Sequence, residues 1–166
     1  MASRNKINDF SVLPEKLEGN FTKDEECSLS LYMSLARASQ TFSKELAKEI
    51  RENNLTPPQF GVLETLMHLG PTTLSSLGEK LLVTAGNITC VVDKLEGMGL
   101  VRRERNGNDR RIIIAELTEN GKEMIHSLFP NYVKKITDLS SDLTEKEKQQ
   151  LQKLLKKLCE AIPNAI

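Results

Sequence analysis

The chain has 166 residues, of which 39% are hydrophobic and 28% charged. That is enough for one globular unit with a real core, and it excludes a disordered chain. Lys plus Arg and Asp plus Glu each number 23, a neutral balance that on its own weighs against a nucleic-acid partner.

No apolar run approaches the roughly 18 residues that span a bilayer. The first residues lack a signal-peptide core, and residue 2 is Ala rather than the Gly of a myristoylation signal, so a cytoplasmic location is expected. Three cysteines, Cys27, Cys90 and Cys159, are widely spaced, and there are two histidines, His68 and His126. Neither a disulfide framework nor a zinc site fits such a set, and no metal or cofactor is expected.

In chain order, residues 1–21 carry no sustained period and are expected to form a loosely ordered arm. Thr22-Lys-Asp-Glu25 is a capping box preceded by Phe21 as a staple. Leu31, Leu35, Ala38, Phe42, Leu46 and Ile50 then form one apolar stripe on a helix of about thirty residues that ends near Asn53-Asn54. A helix that long, over 22–54, suits dimerisation. Thr56-Pro-Pro-Gln59 caps a second helix with Phe60, Leu63, Leu66 and Met67 inward, which Gly70-Pro71 stops. Thr72 or Thr73 caps a short helix carrying Leu74, Leu77 and Leu81.

A further helix, Ala85–Met98, buries Ile88, Val91, Val92, Leu95 and Gly99 when placed on a wheel. Gly86, Asn87, Thr89, Cys90, Asp93, Lys94 and Gly97 fall outward. Val101–Arg105 and Arg110–Leu117 then read as two strands joined at Asn106-Gly107. Between Val101 and Arg111, five arginines face two acids, a local +3 inside a neutral chain. Leu117-Thr-Glu-Asn-Gly121 opens a fifth helix with Met124, Ile125, Leu128, Val133, Ile136 and Leu139, and Pro130 is expected to kink it. Thr144-Glu-Lys-Glu147 caps a last helix with Leu151, Leu154, Leu155, Leu158 and Ile162.

The order H-H-H-H-β-β-H-H predicts a mainly α fold with a small β-wing. The expected organisation is a winged helix-turn-helix DNA-binding region over 55–121 and a helical dimerisation domain, with C-terminal dimerisation helices over 122–166. Small polar residues at the start of the fourth helix let it approach base edges. Asn87 can pair with adenine, Thr89 or Cys90 can touch a thymine methyl, and Thr84 as N-cap directs backbone amides at a phosphate. The blander readings are a solvated helix face and a charged edge hairpin that deters aggregation.

The runs Leu74-x-x-Leu77-Gly-x-x-Leu81, Asp93-Lys-Leu95-Glu-x-x-Gly-Leu100-Val-x-Arg103, and Asp109-Arg-Arg111 with Leu117-Thr118-x-x-Gly121 closely resemble the MarR family of bacterial transcription regulators. The resemblance covers roughly residues 25–160. It implies a homodimer on a palindromic operator, usually a repressor relieved by a small phenolic ligand or by thiol oxidation. By position, Arg111 would be the minor-groove arginine and Asp109 its orienting partner, with Arg110 beside them. Residues Thr84, Ala85, Gly86, Asn87, Thr89 and Cys90, with Lys94, would face the major groove and its phosphates. Many relatives carry arginine where this chain has Cys90.

The resemblance raises two triggers. The family's peroxide-responsive branch has a cysteine four residues before a Tyr; here Ser28 holds that place before Tyr32, and Cys27 is one residue off, among acids that disfavour a thiolate. Cys90 lies outward on the reading helix, where alkylation or oxidation would add bulk against DNA. For a ligand, the family pocket lies between the dimerisation helices and the reading head. Phe60, Glu64 and Met67 or His68 share one side of the second helix, and Tyr32 and His126 are expected to close that pocket. Leu55–Glu64, Gly86–Leu95 and Leu128-Phe-Pro130 look similar to the branch that responds to hydroquinones and quinones. The competing class is a winged-helix protein-interaction module without DNA binding, which the zero net charge favours. An enzyme is not expected, because no phosphate loop or catalytic constellation is present.

Overall fold

A computed structural model describes residues 21–105, 107, 109 and 112–161. Six helices and three short strands follow one another: α1 (Lys23–Glu52), α2 (Pro57–Leu69), β1 (Thr72–Thr73), α3 (Leu74–Lys80), α4 (Ala85–Gly97), β2 (Val101–Arg105), β3 (Ile113–Leu117), α5 (Glu119–Leu139) and α6 (Glu145–Glu160). The fold is mainly α with a small β-wing. The chain divides into two compact units, Met1–Glu45 and Leu46–Ile166. Among the described residues, no helix is long and apolar enough to cross a membrane.

The first unit holds most of α1. The Thr22 amide donates to Glu25 Oε2 at 2.7 Å, and the Glu25 amide donates back to Thr22 Oγ1 at 3.3 Å. This reciprocal cap satisfies two of the helix's orphan donors. Leu31, Tyr32 and Leu35 are exposed. Asn54, at φ 58°, ends the helix in the left-handed conformation that Asn tolerates.

The second unit is built around Leu55, Val62, Leu63, Leu77, Ile88, Val92, Leu95, Val101, Ala115, Ile125 and Leu128, all sealed from solvent. Helices α2, α3 and α4 contribute their periodic apolar faces, and the sheet and α5 close the core. Gln59 is buried because its carbonyl accepts the Thr56 amide at 2.8 Å, completing the α2 cap, while its amide reaches Met98 Sδ.

The sheet has the order β1-β3-β2, all antiparallel. Register sets Val101 opposite Leu117 and Arg103 opposite Ala115. Because side chains alternate along a strand, Val101, Arg103 and Arg105 share one face and Arg102 and Glu104 the other. β1 adds Thr72 opposite Ala115 and Thr73 opposite Ile114.

Several expectations are corrected here. The two-strand wing is a three-strand sheet, since Thr72–Thr73 both pairs with β3 and, through Thr73, caps α3. The second wing strand is described over Ile113–Leu117, and the expected start at Arg110 lies outside the described residues. Gly99 does not belong to the buried stripe of α4; it is exposed and sits at φ 71° beyond the helix end. Val91 is only partly buried. Pro130 lies inside α5, where the sequence places it. Helix α6 has its full capping box but buries none of its residues, and Leu151, Leu154 and Leu158 stand exposed.

Candidate nucleic-acid interface

Helix α4 follows α3 through a short turn whose geometry is fixed by the backbone. The Val83 amide donates to the Gly78 carbonyl at 2.9 Å, and Leu82 takes φ 53° with 82% of its surface exposed. Thr84 then caps α4, its hydroxyl accepting from the Asn87 amide at 3.4 Å. The helix itself offers no acceptor to the Ala85 and Gly86 amides, which point out of its N-terminus toward positive-dipole space suited to a phosphate.

Gly86, Asn87, Thr89, Cys90, Asp93, Lys94 and Gly97 are all exposed, and Ile88, Val92 and Leu95 are buried beneath them. A Cβ at Gly86 would meet nothing within 4 Å. The Thr89 hydroxyl donates to the Ala85 carbonyl at 2.9 Å. Its hydrogen is therefore committed, leaving lone pairs and a methyl for an outside group. The outward face is small, polar and uncharged near its start.

The wing is not the uniformly basic element that its composition suggests. Arg103 donates from Nε to Glu96 Oε2 at 2.9 Å, from its amide to Glu96 Oε1 at 3.1 Å, and from its two terminal nitrogens to Glu96 and Asp93. On the opposite face, Arg102 pairs with Glu116 and lies 3.8 Å from Glu104. Hydrogen bonding to Arg103 holds the Glu96 carboxyl below its ordinary value, and the bonds to Glu96 and to Glu116 raise Arg103 and Arg102 respectively. Two of the five wing arginines are thus paired with the protein's own acids, Arg102 at the surface and Arg103 half-buried. Arg105 is exposed, and Asp109 is exposed with its carbonyl accepting from the Ile112 amide at 3.0 Å. Arg110 and Arg111 lie outside the described residues.

The wing is fastened to the next helix by Thr118. Its hydroxyl donates to the Gly99 carbonyl at 2.7 Å and accepts from the Gly121 amide at 3.1 Å, so one oxygen caps α5 and ties it to the end of α4. This explains the Leu-Thr-x-x-Gly spacing in physical terms.

Of the four residues expected around an effector, Tyr32 lies in the first unit and Phe60, Glu64 and His126 in the second. Phe60 is 2% exposed and its ring centroid lies 4.4 Å from that of Tyr132. Glu64 is partly buried near Tyr132; burial first and the Glu64 charge second push the Tyr132 hydroxyl upward. His68 meets Phe129 edge-on at 5.6 Å. His126 instead lines, with Met67, a cleft of about 570 Å³ walled by Leu66, Pro71, Arg102 and Lys122 among others. Tyr32 is exposed on α1. Tyr132 was missed in the sequence because its partner, Phe60, is more than seventy residues away. Cys27, Cys90 and Cys159 are all free and exposed.

The family model for MarR matches residues 55–113. The HTH-type transcriptional regulator MhqR of Bacillus subtilis is 37% identical over 80% of this chain and 92% of its own. The chain belongs to the MarR family. Among solved structures, a mutant MarR from E. coli complexed with operator DNA matches at a TM-score of 0.73, with 27% identity over 80% of this chain and 96% of that one. The transcriptional regulator BldR from Sulfolobus solfataricus gives 0.72, with 31% identity over 83% and 98%. This MarR-family chain is accordingly a DNA-binding transcriptional regulator and not an enzyme.

Proposed function

We propose that this MarR-family protein is a homodimeric repressor that binds a palindromic operator and leaves it when a small phenolic or quinone-like effector binds. The observation that carries the DNA half is the exposed, small-sided start of α4 beside a hairpin strand that ends at the exposed Arg105. In this reading Thr84, Ala85, Gly86, Asn87, Thr89 and Cys90 enter the major groove, and Lys94 meets a phosphate. Asp109 orients Arg111 into the minor groove through a charge-assisted hydrogen bond, with Arg110 alongside.

The dimer half rests on apolar side chains that the single chain leaves in water. Leu151, Leu154 and Leu158 recur at helical spacing along α6, and Leu31 and Leu35 do so along α1. Burying such a stripe against a second copy recovers about 25 cal/mol per Å². Residues 22–54 and 122–166 are assigned to that contact, and 55–121 to DNA.

The effector half rests on the resemblance to the hydroquinone- and quinone-responsive branch and on the cleft at Met67 and His126. Its volume lies in the range of about 300–1,000 Å³ typical of small-molecule sites. Glu64 and Phe60, with Tyr132, stand as the alternative seat for a phenolic hydroxyl. A second trigger is favoured by one observation, the exposure of Cys90 on the DNA-facing side of α4; an adduct there would hold the helix off the groove.

Titrating the protein with methylhydroquinone while following its release from DNA selected out of a random pool tests the effector. Release that His126→Ala or Glu64→Gln blunts supports the ligand site. Release lost only in Cys90→Ser points to the thiol. No release at millimolar ligand counts against both.

A further inference from the structure

We propose that Arg103 is a positioning residue for DNA reading, holding α4 and the wing at one fixed separation while offsetting part of the acidic charge on the DNA-facing side. Three observations support it.

First, the connection between the two DNA-facing elements is short but not rigid by covalent geometry alone. α4 ends at Gly97, and β2 begins at Val101 after a glycine at φ 71°. Such a glycine allows the strand to leave the helix in this direction and does nothing to lock it there.

Second, Arg103 supplies the lock. Its planar fork and its backbone amide together engage Glu96, while the remaining terminal nitrogen takes Asp93. Glu96 and Asp93 are three residues apart and therefore neighbours on α4. A lysine could make one such contact as a point charge; only a guanidinium can satisfy a bidentate carboxylate and a second acid in one plane.

Third, Asp93 lies in the same outward line as Gly86, Cys90 and Gly97, and its side chain is half-exposed. Left bare, that carboxylate would face the phosphates of any duplex held by α4. With Arg103 against it, the group of Asp93, Glu96 and Arg103 carries one negative charge instead of two. Arg103 itself is 27% exposed, so it is turned inward to the protein rather than outward to a phosphate.

The proposal makes Arg103 act on discrimination as well as on affinity. A reader with two contacts gains from both only when their spacing matches the duplex, and positional slack of a fraction of an ångström removes that gain. Loss of the clamp therefore weakens the selected sequence more than random DNA. Loss of charge masking alone would weaken both equally, because phosphate repulsion carries no sequence information.

The test uses the full chain and two probes, a duplex selected by the wild-type protein from a random pool and a random duplex of equal length. Arg103→Gln, with circular dichroism and gel filtration unchanged, is expected to lose about tenfold or more on the selected duplex and less on the random one. Adding Asp93→Asn and Glu96→Gln to it should restore random-DNA binding while the selected-to-random ratio stays low. Arg103→Lys keeps the charge and covers the case in which Arg103→Gln does not fold; it should show the same reduced ratio. A wild-type ratio in Arg103→Lys, or full recovery of the ratio in the neutral triple variant, overturns the positioning role.

Discussion

Gly121, in the first turn of α5, packs against the Leu100 carbonyl so closely that a Cβ at that position would overlap the oxygen. The Thr118 amide donates to the same carbonyl at 3.1 Å, so the oxygen cannot move aside without breaking that bond. Gly121→Ala is expected to cost about 2–3 kcal/mol, the usual penalty of overpacking, and to lower Tm by about 5–10 °C. Gly97→Ala is the control: a Cβ there meets nothing within 4 Å, and it should stabilise by about 0.5–1 kcal/mol. Thermal melts of the two variants settle the point; equal Tm values would contradict it.

Thr118 offers a second handle on the same joint. Valine keeps the shape and removes the oxygen that both caps α5 and holds the Gly99 carbonyl. A loss of about 1–2 kcal/mol is expected for Thr118→Val, read from urea unfolding. Serine should recover most of it.

The turn between α3 and α4 carries strain. Leu82 adopts φ 53° with its side chain in solvent, a conformation that L residues other than Asn or Gly adopt at a cost. Leu82→Gly should therefore stabilise the protein by about 1 kcal/mol, measured by denaturant midpoint. A lower midpoint would mean that the leucine makes contacts that outweigh the strain.

Acid sensitivity follows from Glu96. Its folded-state value is lowered by the hydrogen bonds from Arg103. A depressed carboxylate contributes stability above its unfolded value and loses it as pH falls through its folded value. Glu96→Gln should then cost about 0.5–1 kcal/mol at pH 7, with the difference from wild type closing below the ordinary glutamate range. A difference independent of pH would remove the ion pair as its cause.

Much of this architecture is written locally and so is legible in the chain. The Thr22–Glu25, Thr56–Gln59 and Thr144–Glu147 caps, the 3.6-residue stripe of α4 and the glycine stop after α2 all depend on residues within one turn of each other. What escapes is non-local. Thr72–Thr73 looks like capping residues alone because its strand partners, Ala115 and Ile114, lie some forty residues on. The wing's local charge overstates its basicity because the acids that pair with Arg102 and Arg103 come from β3 and from α4. Gly99 fits the helical wheel by number, yet its positive φ places it outside the helix. Tyr132 shows the same limit: it packs on Phe60 from α5, and sequence spacing on one helix does not contain that pairing.

Whether α4 and the wing together read DNA is tested most directly by measuring affinity for a pool-selected duplex and a random duplex across a salt series. The comparison includes wild type, Asn87→Ala and Arg111→Ala. Wild type should prefer the selected duplex, with log affinity falling by about 0.9 per neutralised phosphate for each unit of log salt. Asn87→Ala should lose about 1–3 kcal/mol of discrimination with the slope unchanged. Arg111→Ala should bind more weakly without unfolding the protein. A wild-type protein that enriches no sequence and binds both duplexes alike, or an Arg111→Ala variant with wild-type affinity, would contradict that division of labour.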